Sequence, residues 1–153
     1  MTSIKNSEFV VNAIIGNNEF IDNILNQKNA NCDHILWLIQ FSYISDDLIL
    51  FNKMWNYYNN NIKQIDSKKY CILAMKNFSI EISKYLIGFC ELSNEEFDEI
   101  FSDVCRMNHI SMFHWMYNLK IDLFNQNIYK YFKLSLQNVI DTNAVNIFSI
   151  LFV

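Results

Sequence analysis

The sequence predicts an all-α fold of stacked helix-turn-helix repeats, and three observations carry that expectation. The chain has no proline and only two glycines, so almost nothing in it interrupts a helix. Apolar residues fall at three- and four-residue spacing nearly throughout, the period of an amphipathic helix, and long strand-type alternation is absent. An apolar triplet also returns at a near-constant interval: Ile21, Ile24, Leu25; Phe51, Met54, Trp55; Ile82, Tyr85, Leu86; Met112, Trp115, Met116; and Ile147, Ile150, Leu151. The steps are 30, 31, 30 and 35 residues, a solenoid-type period.

Each triplet marks the second helix of a unit. A first helix precedes it in a fixed register. Eight residues upstream stand Ala13, Tyr43, Ala74, Val104 and Val139, and seven upstream Ile14, Ile44, Met75, Cys105 and Ile140. Eleven upstream stand Val10, Gln40, Cys71, Phe101 and Leu136, where Gln40 alone breaks the apolar columns. Between the two helices lie turn and N-cap residues: Gly16-Asn17-Asn18, Ser45-Asp46-Asp47, Asn77, Met107-Asn108-His109 and Asp141-Thr142-Asn143. One such hairpin cannot bury its own apolar face, whereas stacked hairpins share a continuous core. The expected organisation is a single repeat domain, 1–153, with approximate units 6–30, 35–61, 66–92, 95–126 and 127–153.

At these residues the chain resembles the ankyrin-repeat family. Val104-Cys105-Arg106-Met107-Asn108-His109-Ile110 resembles the family's A-x-x-G-H turn, with His109 at the histidine position. Trp115-Met116-Tyr117 resembles the end of the second helix, and Lys120-Ile121-Asp122-Leu123-Phe124-Asn125 the G-A-D-I-N exit into the finger loop. Ala13-Ile14-Ile15-Gly16-Asn17-Asn18 is a second, weaker match. No unit carries the T-P-L-H opening, and Asn, Lys or Cys replaces the usual glycines, so the β-hairpin fingers are the least supported part. Such drift is similar to the divergent ankyrin-like proteins of giant viruses and poxviruses. The resemblance implies a protein-binding scaffold. A compact bundle similar to the virus-encoded Bcl-2-like regulators, holding an amphipathic helix in a groove, or a decayed repeat without a partner, are the alternatives.

Composition narrows the function. Apolar residues make up 52% and the net charge is −4, so the chain has neither a disordered composition nor an electrostatic pull toward nucleic acid. Arg106 is its only arginine. Residues with AT-rich codons (Asn, Ile, Phe, Tyr, Lys) dominate, as in a large DNA virus or an AT-rich protist. Cys32, Cys71, Cys90 and Cys105 form no C-x-x-C pair and sit in apolar helical patterns, which fits a reducing compartment. The N-terminus has no signal-peptide pattern, and no apolar run is long enough to span a bilayer. A cytoplasmic location is expected, in a host cell if the source is viral.

No enzyme, cofactor or metal site is expected. Cys105, His109 and His114 are close in sequence but lack a second ligand pair at zinc spacing, and Cys32 with His34 stands alone. A phosphate loop is absent, and no nucleophile elbow surrounds a cysteine. Trp55 and Trp115 occupy core columns, and Trp37 is expected to be buried. The candidate partner-binding residues are Glu95, Asp98, Glu99 and Ser102, outward on a first helix whose start carries Glu91, Glu95, Glu96, Asp98 and Glu99, together with Tyr57 and Tyr58 beside an Asn-rich loop. The same acidic stretch also reads as a helix start capped by Ser93 or Asn94. The apolar C-terminal segment 147–152, opening on Ile147 and closing on Phe152, offers self-association or packing on the preceding unit.

Overall fold

A computed structural model of the chain describes residues 11, 12, 14–26, 32–62, 64–120, 129–131, 133, 136 and 137. The positions expected at Val10, Ala13, Val139 and Ile140, the turn 141–143, the exit segment 121–125 and the C-terminal segment 147–152 lie outside the described residues. Seven helices are defined: α1 (Asn18–Asn26), α2 (Cys32–Ser45), α3 (Leu48–Asn61), α4 (Ser67–Lys76), α5 (Ile80–Ile87), α6 (Asn94–Arg106) and α7 (Ile110–Leu119). Residues 11, 12 and 14, and 129–131, 133, 136 and 137, are helical as well, and no strand occurs among the described residues. No helix among them is long and apolar enough to cross a membrane. Contacts divide the chain into two compact units, Met1–Ile65 and Asp66–Val153.

The helices pair through one turn, used four times. Gly16, Asp46, Phe78 and Asn108 all adopt positive φ, at 67°, 49°, 59° and 53°. The next residue donates its N–H five residues back: Asn17 to Asn12 O (3.0 Å), Asp47 to Ser42 O (3.0 Å), Ser79 to Ala74 O (3.0 Å) and His109 to Val104 O (3.1 Å). This is the 6→1 bond of a Schellman motif, which satisfies a carbonyl left over at the helix end. That same residue then serves as N-cap of the following helix. Asn17 Oδ1 accepts from Phe20 N at 3.1 Å, Asp47 Oδ1 from Leu50 N at 2.9 Å, and His109 Nδ1 from Met112 N at 3.2 Å. The left-handed residue is non-glycine in three of the four turns, and for bulky Phe78 this conformation is unusual. Its ring stacks on His109, with centroids 4.7 Å apart, linking the third turn to the fourth.

Gly16 isolates the cost of this backbone. A Cβ there would meet nothing within 4 Å, so only the positive φ opposes a side chain. Gly16→Ala is expected to lower stability by about 1 kcal/mol in urea unfolding. An unchanged midpoint would mean that the first turn does not hold the left-handed geometry.

The turns recur at steps of 30, 32 and 30 residues, and this corrects the register read from the apolar triplets, which steps 31 between the second and third units. Aligned on the turns, Ile14 and Ile44 match Lys76 and Arg106, not Met75 and Cys105. Ile14 and Ile44 are accordingly 59% and 77% exposed, while Met75 is buried. Gln40 likewise aligns with Ile72 and Ser102, off the core face, so it interrupts nothing. The positions buried in all three first helices are those three, four and seven residues before the left-handed residue: Tyr43, Ser42 and Ile39 on α2, Met75, Ala74 and Cys71 on α4, and Cys105, Val104 and Phe101 on α6. Ile44→Lys should therefore leave stability within about 0.5 kcal/mol of the parent, whereas Met75→Lys should prevent folding of its unit. Similar melting temperatures for the two variants would restore the triplet register.

In the second unit, α4 pairs with α5 and α6 with α7, while α4 also packs on α6 and α5 on α7. First helix thus lies on first helix and second on second. In the first unit α2 packs on α3, and an ion pair joins Asp22 of α1 to Lys53 of α3. Asp66 caps α4, and Ser93 caps α6 in a capping box with Glu96 (Ser93 Oγ from Glu96 N, 3.2 Å; Glu96 Oε2 from Ser93 N, 2.8 Å). The connectors 62–66 and 88–93 carry no strand at any described residue, so the finger hairpins implied by the family resemblance are not seen at these two junctions.

Candidate interaction surface

The outward face of each first helix follows from the turn register. Nine, five and two residues before the left-handed residue stand Trp37, Phe41 and Ile44 on α2; Lys69, Leu73 and Lys76 on α4; and Glu99, Asp103 and Arg106 on α6. The second unit therefore presents mainly charged groups where the first presents apolar ones. Trp37 stacks on Phe41 with centroids 5.4 Å apart and planes 9° from parallel. Both are half-buried and Ile44 is exposed. Val11 and Ile14, at the five- and two-residue positions before Gly16, are exposed too. A helix that is apolar on both faces has one face more than its own unit's core needs. Trp37, expected to be buried, is half-buried at this position.

The charged candidates sit differently. Glu99 pairs with Lys76 of α4 at 2.5 Å, Glu96 with Lys68 of α4 at 2.8 Å, and Asp98 with Lys130. These acids tie α6 to the elements beside it. The Lys68 ammonium, and after it the Ser93 backbone N–H, hold the Glu96 carboxyl below the ordinary carboxylate value. Glu95 is exposed at the start of α6, its carboxyl lowered by its own backbone N–H and then by the Ser93 hydroxyl. Ser102 is half-buried. Glu95, Asp98, Glu99 and Ser102 do share one stretch of helix, with two of the three acids already neutralised by lysines. Tyr57 and Tyr58 are half-buried on α3 rather than fully exposed, and the Cys32 thiol donates to Tyr58 Oη at 3.7 Å across the α2–α3 pair.

The residues with latent chemistry hold structural positions. Cys105 is buried, and desolvation pushes its thiol up to about 12. His109 uses Nδ1 as a cap acceptor, and His114 is exposed on α7. Among the described residues, no three His, Cys, Asp or Glu side chains gather as a metal-holding group. No family model, curated protein or solved structure matches the chain.

The apolar α2 face is hidden in the sequence because Trp37, Phe41 and Ile44 read as core in a helix apolar on all sides. The signal lies in the turn spacing. Aligning Asp46 with Phe78 and Asn108 puts Ile44 among Lys76 and Arg106, where a core residue does not belong.

Proposed function

We propose that this chain is a non-enzymatic protein-interaction module, a stack of ankyrin-like helix pairs, viral in source and acting on a host protein by surface complementarity. The observation that carries the reading is the fourfold Schellman–N-cap turn at steps of 30, 32 and 30 residues. First-on-first and second-on-second packing of the α4–α5 and α6–α7 pairs supports it. So does the match of Asn108 and His109 to the glycine and histidine of the ankyrin turn. Residue usage skewed to AT-rich codons supports the viral source. The apolar outer face of Val11, Ile14, Phe41 and Ile44 is the surface on which such a module would hold a partner, because a desolvated apolar centre supplies most interface energy.

Lysine cross-linking of the monomer, read by mass spectrometry, tests the stack. Helix layers sit about 8–10 Å apart, so five stacked pairs separate their ends by roughly 40–50 Å. Links between neighbouring pairs, such as Lys53 with Lys84, are the expected result. Reproducible links from Lys5 to Lys133 within one chain would mean a compact bundle and end the repeat reading.

A further inference from the structure

The corner between α6 and α7 is capped by an imidazole. His109 N donates to Val104 O at 3.1 Å, and His109 Nδ1 accepts from Met112 N at 3.2 Å. The other corners are capped by Asn17 and Asp47, or, at Ser79, by no side chain at all. To accept at Nδ1 the ring must be neutral, with its one proton on Nε2. The His109 ring is half-buried and lies flat on Phe78, with centroids 4.7 Å apart and planes 12° from parallel. Phe78 holds the left-handed position of the corner that Ser79 leaves without a side-chain cap. One imidazole thus serves two corners: it is hydrogen-bonded into its own and packed on the one before it.

We propose that His109 makes the α6–α7 corner a pH-sensitive latch, closed while its imidazole is neutral and released when the ring takes up a proton. Protonation places a hydrogen on Nδ1. Two donors, Nδ1–H and the Met112 N–H, then face each other, and the first turn of α7 loses its side-chain cap. The new charge also stands at the positive end of the α7 dipole. The Phe78 face attracts a cation, but it lies over the ring plane and cannot accept the in-plane Nδ1–H. Among the described residues, no carboxylate hydrogen-bonds or ion-pairs with the ring. The charged side chains at the corner ends of the adjoining helices are paired elsewhere: Arg106 of α6 with Asp103, Lys76 of α4 with Glu99, and Glu81 of α5 with Lys84. On α7 itself His114 is exposed and also gains charge in acid. The cap's contribution is therefore present while the His109 ring is neutral and is lost as pH falls through its titration.

Thermal melts of the full-length protein, followed by circular dichroism from about pH 8 to about pH 5, test the latch against His109→Asn. Asparagine keeps a side-chain acceptor at the cap and does not titrate. Over this range the parent is expected to lose about 3–6 °C more than His109→Asn. His114→Gln should follow the parent, because the exposed ring caps nothing. Parallel curves for the parent and His109→Asn would overturn the proposal. Nitrogen NMR of the parent alone gives a second reading that does not depend on any variant folding. At the upper pH the His109 ring should carry its proton on Nε2 and leave Nδ1 bare. As the ring titrates, the Met112 amide should shift and exchange with solvent more readily. A His109 ring with its proton on Nδ1, or a Met112 amide unmoved through the titration, would sink the latch as well.

Discussion

Replacing Phe101 with alanine is expected to cost about 3–5 kcal/mol of folding stability. Phe101 is fully buried on α6, seven residues before the left-handed Asn108. Its ring meets Phe113 of α7 with centroids 5.6 Å apart and Tyr131 edge-on at 5.1 Å. Truncation thus removes the transfer energy of a full aromatic side chain, two ring pairs worth about 0.5–1.5 kcal/mol each, and leaves a cavity that rigid helices on both sides cannot close. Urea unfolding followed by circular dichroism would read the effect as a lower midpoint at constant slope. A loss under about 1 kcal/mol would mean that α6 is not clamped between α7 and the helical segment bearing Tyr131.

The second large effect is alkaline. The Cys105 thiol is raised from an ordinary 9.0 to about 12 by burial alone. Between those values the unfolded chain releases the thiol proton and the folded chain keeps it. Unfolding is therefore favoured as pH climbs, by about 1.4 kcal/mol per pH unit from this one group, approaching roughly 4 kcal/mol by pH 12. Below pH 9 the group adds no slope, because both states hold the proton. Cys71 acts in the same direction, and Tyr131 joins above pH 10, its hydroxyl raised by burial and then by the Asp98 carboxylate. Denaturant midpoints of the parent and of Cys105→Ala, taken from about pH 8 to 11, isolate the Cys105 share. The variant should start less stable and fall more gently. Parallel curves would show that Cys105 is not buried in the folded chain.

The helix pairs are legible in the sequence because both sides of each turn carry signals that belong to known physics. Asp47 and Ser93 are N-cap residue types standing before apolar periodicity, and both cap as their chemistry dictates. Gly16 announces a left-handed residue, whereas Phe78 conceals one. Its φ of 59° is imposed by the pairing of α4 with α5 and is compatible with the ring's stack on His109. With that turn hidden, the triplet at Ile82 aligns one residue out of phase with Phe51. Ile44 and Gln40 are then both assigned to the core face, and both are exposed. The acidic stretch at Glu95–Glu99 reads as a capped helix start and is one. Its engagement with Lys68, Lys76 and Lys130 is not legible, because those pairings span 23 to 32 residues and depend on which helices lie side by side.

The turn also decides where this chain can tolerate a change in length. Measured outward from their shared turns, the first helices run 14, 10 and 13 residues and the second helices 14, 8 and 10. The joint is constant and the arms are not. A codon gained or lost at the far end of an arm lengthens or shortens a connector and leaves the hydrogen-bonded corner intact. The same codon inside the corner would separate the left-handed residue from the cap that follows it, and both helices would lose their terminal bonds together. A gene under little pressure to keep its wording could rewrite most of each pair and still keep the hairpin for as long as those corner positions stay adjacent.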